Sequence, residues 1–357
     1  MKNPVNIAKK SYNKILKIDE VSQRIEDISN HQHQLEEKID LLQNSIESQF
    51  NELKTIILTE NKTNELRFNA LFKHPQETRE ETNKRFFESL TPTDKDIETF
   101  QAGNVKLLKI FISLCKKHKL IYFLQSGTLL GAVRHKGFVP WDDDTDVAMF
   151  RDDIKKLRDI LKNNKMYKLA LGYDHYNKSR QLRFRTTNPN NPCFIDVYIF
   201  DYGNDASDQA WTNWHKQKQE INDKFEKNHP DLATKWREAF LAEEDSPIGK
   251  KLKPLFEKYY DSLLDPKINK NNYTTVNWAL DNFPVKWKRL FEKNMIFPTT
   301  KVNFAGLKVE APRQYEKYLA RQYGNIYKLP EDLITHFHHI DQDNINIDVI
   351  NDFINSE

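Results

Sequence analysis

Four aspartates fall within five residues, Asp142, Asp143, Asp144 and Asp146, inside the stretch LQSGTLLGAVRHKGFVPWDDDTDVAMF (124–150). Carboxylates packed so closely repel one another, and the apolar neighbours limit the water available to screen them. Such a cluster is expected where a cation sits. Asp144 and Asp146 are two apart, so on a strand both point to one face while Thr145, Val147 and Met149 point to the other. Asp142 shares that parity if the strand starts early. Downstream, Asp196 interrupts the apolar run FIDVYIF (194–200), a costly position for a carboxylate without a partner. Laid beside the first strand, it supplies a third carboxylate at the same point. Hard oxygen donors of this kind suit Mg²⁺ or Mn²⁺, with water and substrate phosphate completing the shell.

The residues before the acids suit the phosphate side. Ser126-Gly127 turns into a short helix whose free N–H groups and positive dipole end lie near the strand tips. Arg134, His135 and Lys136 follow. Arg183 and Arg185 alternate on a later strand and share a face. A metal, a helix N-terminus and arginines together describe a site for a diphosphate. Blander readings are a solvated or capping loop for the aspartates and edge-strand surface charge for the two arginines. His338 and His339 lack a Cys-x-x-Cys or His-x-x-x-His partner, which favours a structural or substrate-facing role over zinc.

These groups must be held by strands interspersed with helices. The pattern predicts a helix from an N-cap at Thr93 to about Lys119, a strand over 120–124 and a helix over 128–134. It continues with a strand over 144–150, a helix capped by Asp152 or Asp153, and strands over 181–186 and 193–200. Residues 211–264 read as polar helix, 273–290 as turns and short helix, 298–310 as a hairpin around Ala305-Gly306, and 313–323 as helix. The class is α+β, a mixed sheet with flanking helices.

A different segment precedes this domain. From Ile18 to Ile56 a heptad runs, with Ile18, Ile25, Gln32, Ile39, Ile46 and Leu53 at a, and Val21, Ile28, Leu35, Leu42, Gln49 and Ile56 at d. Ten of these twelve are aliphatic, which predicts a coiled coil and self-association through 18–56. The alternative is one long helix packed on its own domain. Pro75 ends the helix, 59–92 reads as helical linker, and the domains divide as 1–92 and 93–357.

Composition narrows the classes. The 357 residues include 42 aromatics (22 Phe, 14 Tyr and 6 Trp), ample for a core, and the net charge of +3 is too small to argue for nucleic acid. Two cysteines, Cys115 and Cys193, give no disulfide framework and fit a reducing compartment. No apolar run reaches the ~20 residues of a membrane helix. Lys2, Lys9, Lys10, Lys14 and Lys17 allow a peripheral contact with an anionic membrane surface.

The stretch SGTLLGAVRHKGFVPWDDDTDVAMF (126–150) resembles the LicD family, whose relatives include fukutin and fukutin-related protein. FIDVYIFDYG (194–203) resembles its second acidic strand, and FPTTKVNFAGLKVEAPRQYEKYLARQYGNIYKLP (297–330) with the following histidines resembles its tail. The likeness covers about 93–339 and excludes the coiled coil. Ala305 departs from it, standing where an acidic residue is expected before the glycine. The resemblance implies a nucleotidyltransferase-like fold in which Ser126 and Gly127 form the turn and Asp144, Asp146 and Asp196 the acidic triad. It implies movement of a phosphorylated alcohol, such as phosphocholine or ribitol phosphate, from a CDP-linked donor to a hydroxyl of a surface glycan, with release of CMP. The acceptor would be lipopolysaccharide, capsule or teichoic acid.

On this reading Asp142, Asp144, Asp146 and Asp196 are metal ligands. Asp144, Asp146, Asp196 and Arg134 are catalytic, with Asp196 the candidate base. Ser126, Gly127, Thr128, His135, Lys136, Arg183 and Arg185 bind substrate. Tyr173, Tyr176, Trp278 and Trp287 are available to enclose a choline. The location expected is cytoplasmic, at the inner membrane face. Competing readings are nucleotide transfer with release of pyrophosphate, and a non-catalytic coiled-coil scaffold.

Overall fold

The computed structural model describes residues 4–92, 95–239, 241–282, 289–329 and 346–356. Thr93, Trp287, His338 and His339 therefore lie outside the described residues. Two compact units divide at Glu77/Thr78, upstream of the boundary expected at residue 92.

The first unit is dominated by one helix, α1 (Pro4–Phe72). No glycine occurs before Gly103 and no proline falls between Pro4 and Pro75, so the helix runs unbroken into the stretch read as helical linker and ends just before Pro75. Its seam is bare: Val21, Ile28, Leu35, Ile39, Leu42, Ile46, Leu53 and Ile56 are each more than half exposed.

The second unit is α+β. Its helices are α2 (Arg79–Ser89), α3 (Lys95–His118), α4 (Ser126–Arg134), α5 (Arg151–Leu161), α6 (Asp208–Asn228), α7 (Pro230–Ala239), α8 (Gly249–Tyr260), α9 (Lys293–Ile296), α10 (Tyr315–Tyr323) and α11 (Ile347–Asn355). Its strands are β1 (Tyr122–Leu124), β2 (Asp146–Phe150), β3 (Tyr167–Asp174), β4 (Ser179–Thr186), β5 (Phe194–Gly203), β6 (Leu241–Glu243), β7 (Thr275–Trp278), β8 (Leu290–Glu292), β9 (Thr300–Phe304) and β10 (Leu307–Ala311). Eight strands form one sheet in the order β1-β2-β5-β4-β3-β6, with β7 on β5 and β8 on β7. Among these, β2 and β5 pair in parallel and the other pairs are antiparallel. The β9–β10 hairpin forms its own two-stranded sheet, turning through Ala305 and Gly306 at φ 46° and 81°, as I′-type turns require.

β5 is the centre. Its first residues pair with β4 and its last with β7, while β2 lies along its other side. One sheet face is covered by α3, α5 and α8: Phe111 meets Phe184, Leu157 is fully buried, and Phe256 meets Tyr173. α11 packs on α3, where Gly103 leaves room for Ile350 and the Cys193 thiol, and Lys106 Nζ donates to the helix-end carbonyl of Ile354. Among the described residues no helix is long and apolar enough to cross a membrane.

A buried charge network ties the sheet to α5. Arg151 Nε donates to Asp201 Oδ1 at 2.7 Å and its Nη2 to Asp281 Oδ1 at 2.7 Å. Arg180 pairs with the same Asp281 and with Asp261. Burial alone would raise the Asp281 carboxyl, but Arg151 and Arg180 hold it well below the usual carboxylate range.

Candidate active site

The loop of acids is anchored from α3 and α4. Gln101 Nε2 donates to the Asp142 carbonyl at 2.7 Å, and Asn104 Nδ2 to the Asp143 carbonyl at 2.9 Å. Asn104 Oδ1 also accepts from Phe194 N, so one fully buried amide fixes the loop and the start of β5 together. Asp146 N donates to Thr128 Oγ1 at 2.7 Å, Gln125 N to the Asp146 carbonyl, and Asp196 N to the Thr145 carbonyl at 2.8 Å.

In the parallel pair Asp146 lies directly beside Asp196. Carboxylate oxygens of Asp144, Asp146 and Asp196 all lie within 4.8 Å of one another, as do those of Asp142, Asp143 and Asp144. Asp144 precedes β2 rather than lying in it, and all five β2 residues are buried. The expected wall of carboxylates thus ends at Asp146, because Phe150 on the same face stacks on Tyr202 and Phe297.

Burial, Asp144, Asp196 and Asp142 push the Asp146 carboxyl well above its ordinary value, against a hydrogen bond with the Tyr198 hydroxyl. Its Oδ1 is buried with no hydrogen-bond partner. Burial, Asp144 and Asp143 likewise raise Asp142. Burial raises Asp196 to about 6, with Asp144 adding and Arg183 opposing. The Arg183 Nε–H donates to Asp196 Oδ1 at 2.9 Å. A buried, unpartnered carboxylate oxygen among like charges fits a divalent cation, whose charge reverses each of these upward shifts.

The other expected residues divide. Ser126 begins α4 at φ 47°, a left-handed value that costs a serine on the order of 1 kcal/mol. No side chain caps this helix start. Gly127 lies against the Asp142 carboxylate, where a Cβ would collide with Oδ2. Thr128 is buried beneath Asp146 and positions its backbone. Arg185 lies on the Arg183 face, half-buried, with its Nε lacking a partner.

Arg134, expected to face phosphate, is 2% exposed; its Nη1 donates to the Ile326 carbonyl at 2.8 Å and its guanidinium lies over the Phe87 ring. It reaches the cluster through the charge of Asp142. His135 accepts from Arg134 Nε, and burial with that neighbour lowers it to about 4, so it is neutral. Lys136 is exposed and paired with Glu88. Asp153 does not cap α5; it turns inward to accept from Ile121 N and pair with Lys156.

The aromatics are not brought together: Tyr176 is 82% exposed, Tyr173 is buried against Phe256, and Trp278 is covered by Arg289. Gln101, Asn104, Tyr198 and Gln181, whose side chain hydrogen-bonds Asp196, escaped the sequence reading. Asn104 and Gln101 did carry a signal, as amides on the apolar face of α3.

Residues 119–233 match the family described as LicD/FKTN/FKRP, nucleotidyltransferase domain. The chain carries a LicD-family domain. It is 26% identical over 253 residues to the lipopolysaccharide cholinephosphotransferase LicD of Haemophilus influenzae, a match spanning 67% of this chain and 94% of that protein. Shorter matches reach uncharacterized proteins of Rickettsia prowazekii, at 31% over 91 residues, and Rickettsia typhi, at 32% over 94. They span 34% and 30% of those proteins and 24% and 22% of this chain. The matched LicD segment contains every carboxylate of the cluster, together with Thr128, Arg183 and Tyr198.

Proposed function

We propose that the protein transfers a phosphorylated alcohol from a CDP-linked donor to a hydroxyl of a surface glycan, releasing CMP. The observation that carries this reading is the buried, unpartnered Asp146 Oδ1 flanked by Asp144 and Asp196. The named activity of the Haemophilus relative, matched over nearly its full length, supports the substrate class. Asp144, Asp146 and Asp196, with Asp142 adjacent, would hold Mg²⁺ or Mn²⁺, which supplies charge neutralisation at the donor diphosphate.

The chain's own groups do the rest. The uncapped N-terminus of α4 offers Ser126 and Gly127 backbone N–H groups to phosphate oxygens. Tyr198, held neutral by burial and by Asp146, donates to that carboxylate. Arg183 keeps Asp196 ionised near neutrality, where it accepts the attacking hydroxyl's proton. Arg134, held by the Ile326 carbonyl and His135 and lying near Trp141, acts on Asp142 through its charge. Incubation with CDP-choline, CDP-ribitol or CDP-glycerol, Mg²⁺ and a glycan acceptor tests this. CMP is the expected product and chelator stops its release. Pyrophosphate as product, or turnover unaffected by chelation, overturns the reading.

The second part of the proposal is self-association through 18–56, at the inner face of the membrane. An apolar seam more than half exposed along its length needs a second copy to cover it. Leu35→Asp with Ile39→Asp places charge in that seam. Light scattering on a sizing column is then expected to fall from a multiple of the chain mass to 42.4 kDa. An unchanged mass rules out the coiled coil.

A further inference from the structure

The sheet face that carries the acidic cluster is covered at one end and open at the other. Strand pairing puts Asp196 of β5, Arg183 and Arg185 of β4, and Lys168 and Ala170 of β3 on the face of Asp146. Over β2 this face is covered: Ala148 is fully buried and Phe150 nearly so. Over β4 and β3 it is not. Arg183, Arg185, Lys168 and even the short Ala170 are partly exposed, while Leu182, Phe184 and Thr186 are buried on the opposite face. Among the described residues, a strip of accessible sheet thus leads from Asp196 across two strands.

The open end of this strip is basic. From Lys162 to Ile195 the chain has seven basic residues and one acid, Asp174. Asp174 stands at the turn end of the β3–β4 hairpin, where its carboxylate accepts from Tyr176 N and Asn177 Nδ2. The basic residues at that end are matched by other elements, Lys178 by Glu226 and Arg180 by Asp261 and Asp281. Arg183 spans to Asp196 and lies over the Phe194 ring. Arg185 and Lys168, paired in register, have no ion pair among the described residues, and the Arg185 Nε–H is buried with no acceptor. Glu243 of β6 shares this face, but it pairs in register with Gly172, about 13 Å along β3 from Lys168. A half-buried guanidinium with no counter-charge is costly, and an oxyanion removes that cost.

We propose that this strip is the acceptor subsite and that the acceptor is an anionic glycan, a reading that rests on the transfer reaction proposed above. A phosphate or carboxylate of the glycan is held by Arg185 and Lys168 while the reacting hydroxyl meets Asp196. A guanidinium fork binds either oxyanion in the same way. The donor takes the other side. α4, whose N-terminus is offered to the donor phosphates, adjoins β2 through Gln125 and Thr128. In-line displacement brings the attacking oxygen in opposite the CMP leaving group, from β5 and the strands beyond it. Strand spacing puts the Arg185 and Lys168 backbones about 8 and 12 Å from that of Asp196. The charge they read is therefore on the sugar that bears the hydroxyl or on its neighbour.

Isothermal titration of the full chain, with Mg²⁺ and no donor, tests it on deacylated lipopolysaccharide. The same glycan is also titrated after phosphatase treatment, after reduction of its carboxyl groups, and after both. The intact glycan is expected to bind and the doubly treated one to bind at least about tenfold more weakly; whichever single treatment carries the loss identifies phosphate or carboxylate. Arg185→Gln/Lys168→Gln is expected to bind the intact glycan as weakly as the parent binds the doubly treated one. Neither side chain has an ion pair to lose, so an unchanged melting temperature separates lost binding from lost folding, and Lys168→Gln alone gives a milder form of the same loss. In turnover, the KM for the glycan rises in the double variant and the KM for CDP-choline does not. The proposal fails if no form binds, if charged and neutral forms bind alike, if the double variant binds like the parent, or if the loss falls on CDP-choline. Lys168 then serves only to keep the free edge of β3 from pairing. Failure of every CDP-linked donor to yield CMP would overturn the transfer reading without touching these binding results, so the two fail separately.

Discussion

Asp146→Asn is expected to lower CMP release by roughly 10³-fold or more while the protein stays folded and melts at a higher temperature in metal-free buffer. The first effect follows from the several kcal/mol of charge stabilisation a catalytic metal supplies, at about 1.4 kcal/mol per decade of rate. The second follows from the sign of the Asp146 shift. Its carboxyl is raised by burial, Asp144, Asp196 and Asp142, so the folded state holds a proton that the unfolded chain has lost. Stability therefore falls as pH rises from the ordinary carboxylate range toward the raised value. An amide removes that penalty. It also removes the Mg²⁺-dependent gain in melting temperature that the parent protein is expected to show. A variant keeping more than a tenth of the parent turnover, or an unchanged response to Mg²⁺, sinks the metal assignment.

Asp281→Ala acts on the other face and on stability alone. Asp281 is 1% exposed and is shared by Arg151 and Arg180, whose side chains are themselves mostly buried. Removing it strips both guanidiniums of a common partner without returning them to water. Breaking a buried pair in this way costs about 3–5 kcal/mol, read as a drop in the urea midpoint at constant slope. Asp281→Asn keeps the shape and restores part of the hydrogen bonding, so it should fall between. A loss under about 1 kcal/mol for the alanine variant would show that Asp201 and Asp261 suffice for the two arginines.

What could be read from the chain depended on how far apart the cooperating residues lie. The acidic run, its strand and the helix beginning near Ser126-Gly127 are local, and each was legible from spacing. Asp196 was legible because a carboxylate inside FIDVYIF has no bland explanation. The network around Asp281 was not, since Arg151 and Asp281 are separated by 130 positions and neither interrupts an apolar run. β7 read as turns and short helix, and β8 was left unassigned beyond Leu290, because each is short and takes its stability from pairing with β5 and with each other rather than from its own pattern. β3 was missed for a similar reason: YKLALGYD mixes polar and small residues, and β4 on one side with β6 on the other decides its state. Arg134 was assigned to phosphate because it follows the helix that opens at Ser126-Gly127. The Phe87 ring of α2 and the Ile326 carbonyl of the segment after α10 decide where it points. Asp152 or Asp153 was taken for a cap on position alone, but no side chain caps α5 and Ile121 N draws Asp153 inward.

The parallel alignment of β2 on β5 has one more outcome. Side chains on a strand alternate, so a slip of one residue would put Val197 among the carboxylates and drive Asp196 into the hydrocarbon layer with Ile195 and Ile199. A mis-threaded sheet would then lack the oxygen cage altogether. An ion captured there would act as a proofreader of folding, rewarding only those molecules in which strands some fifty positions apart have found their proper alignment.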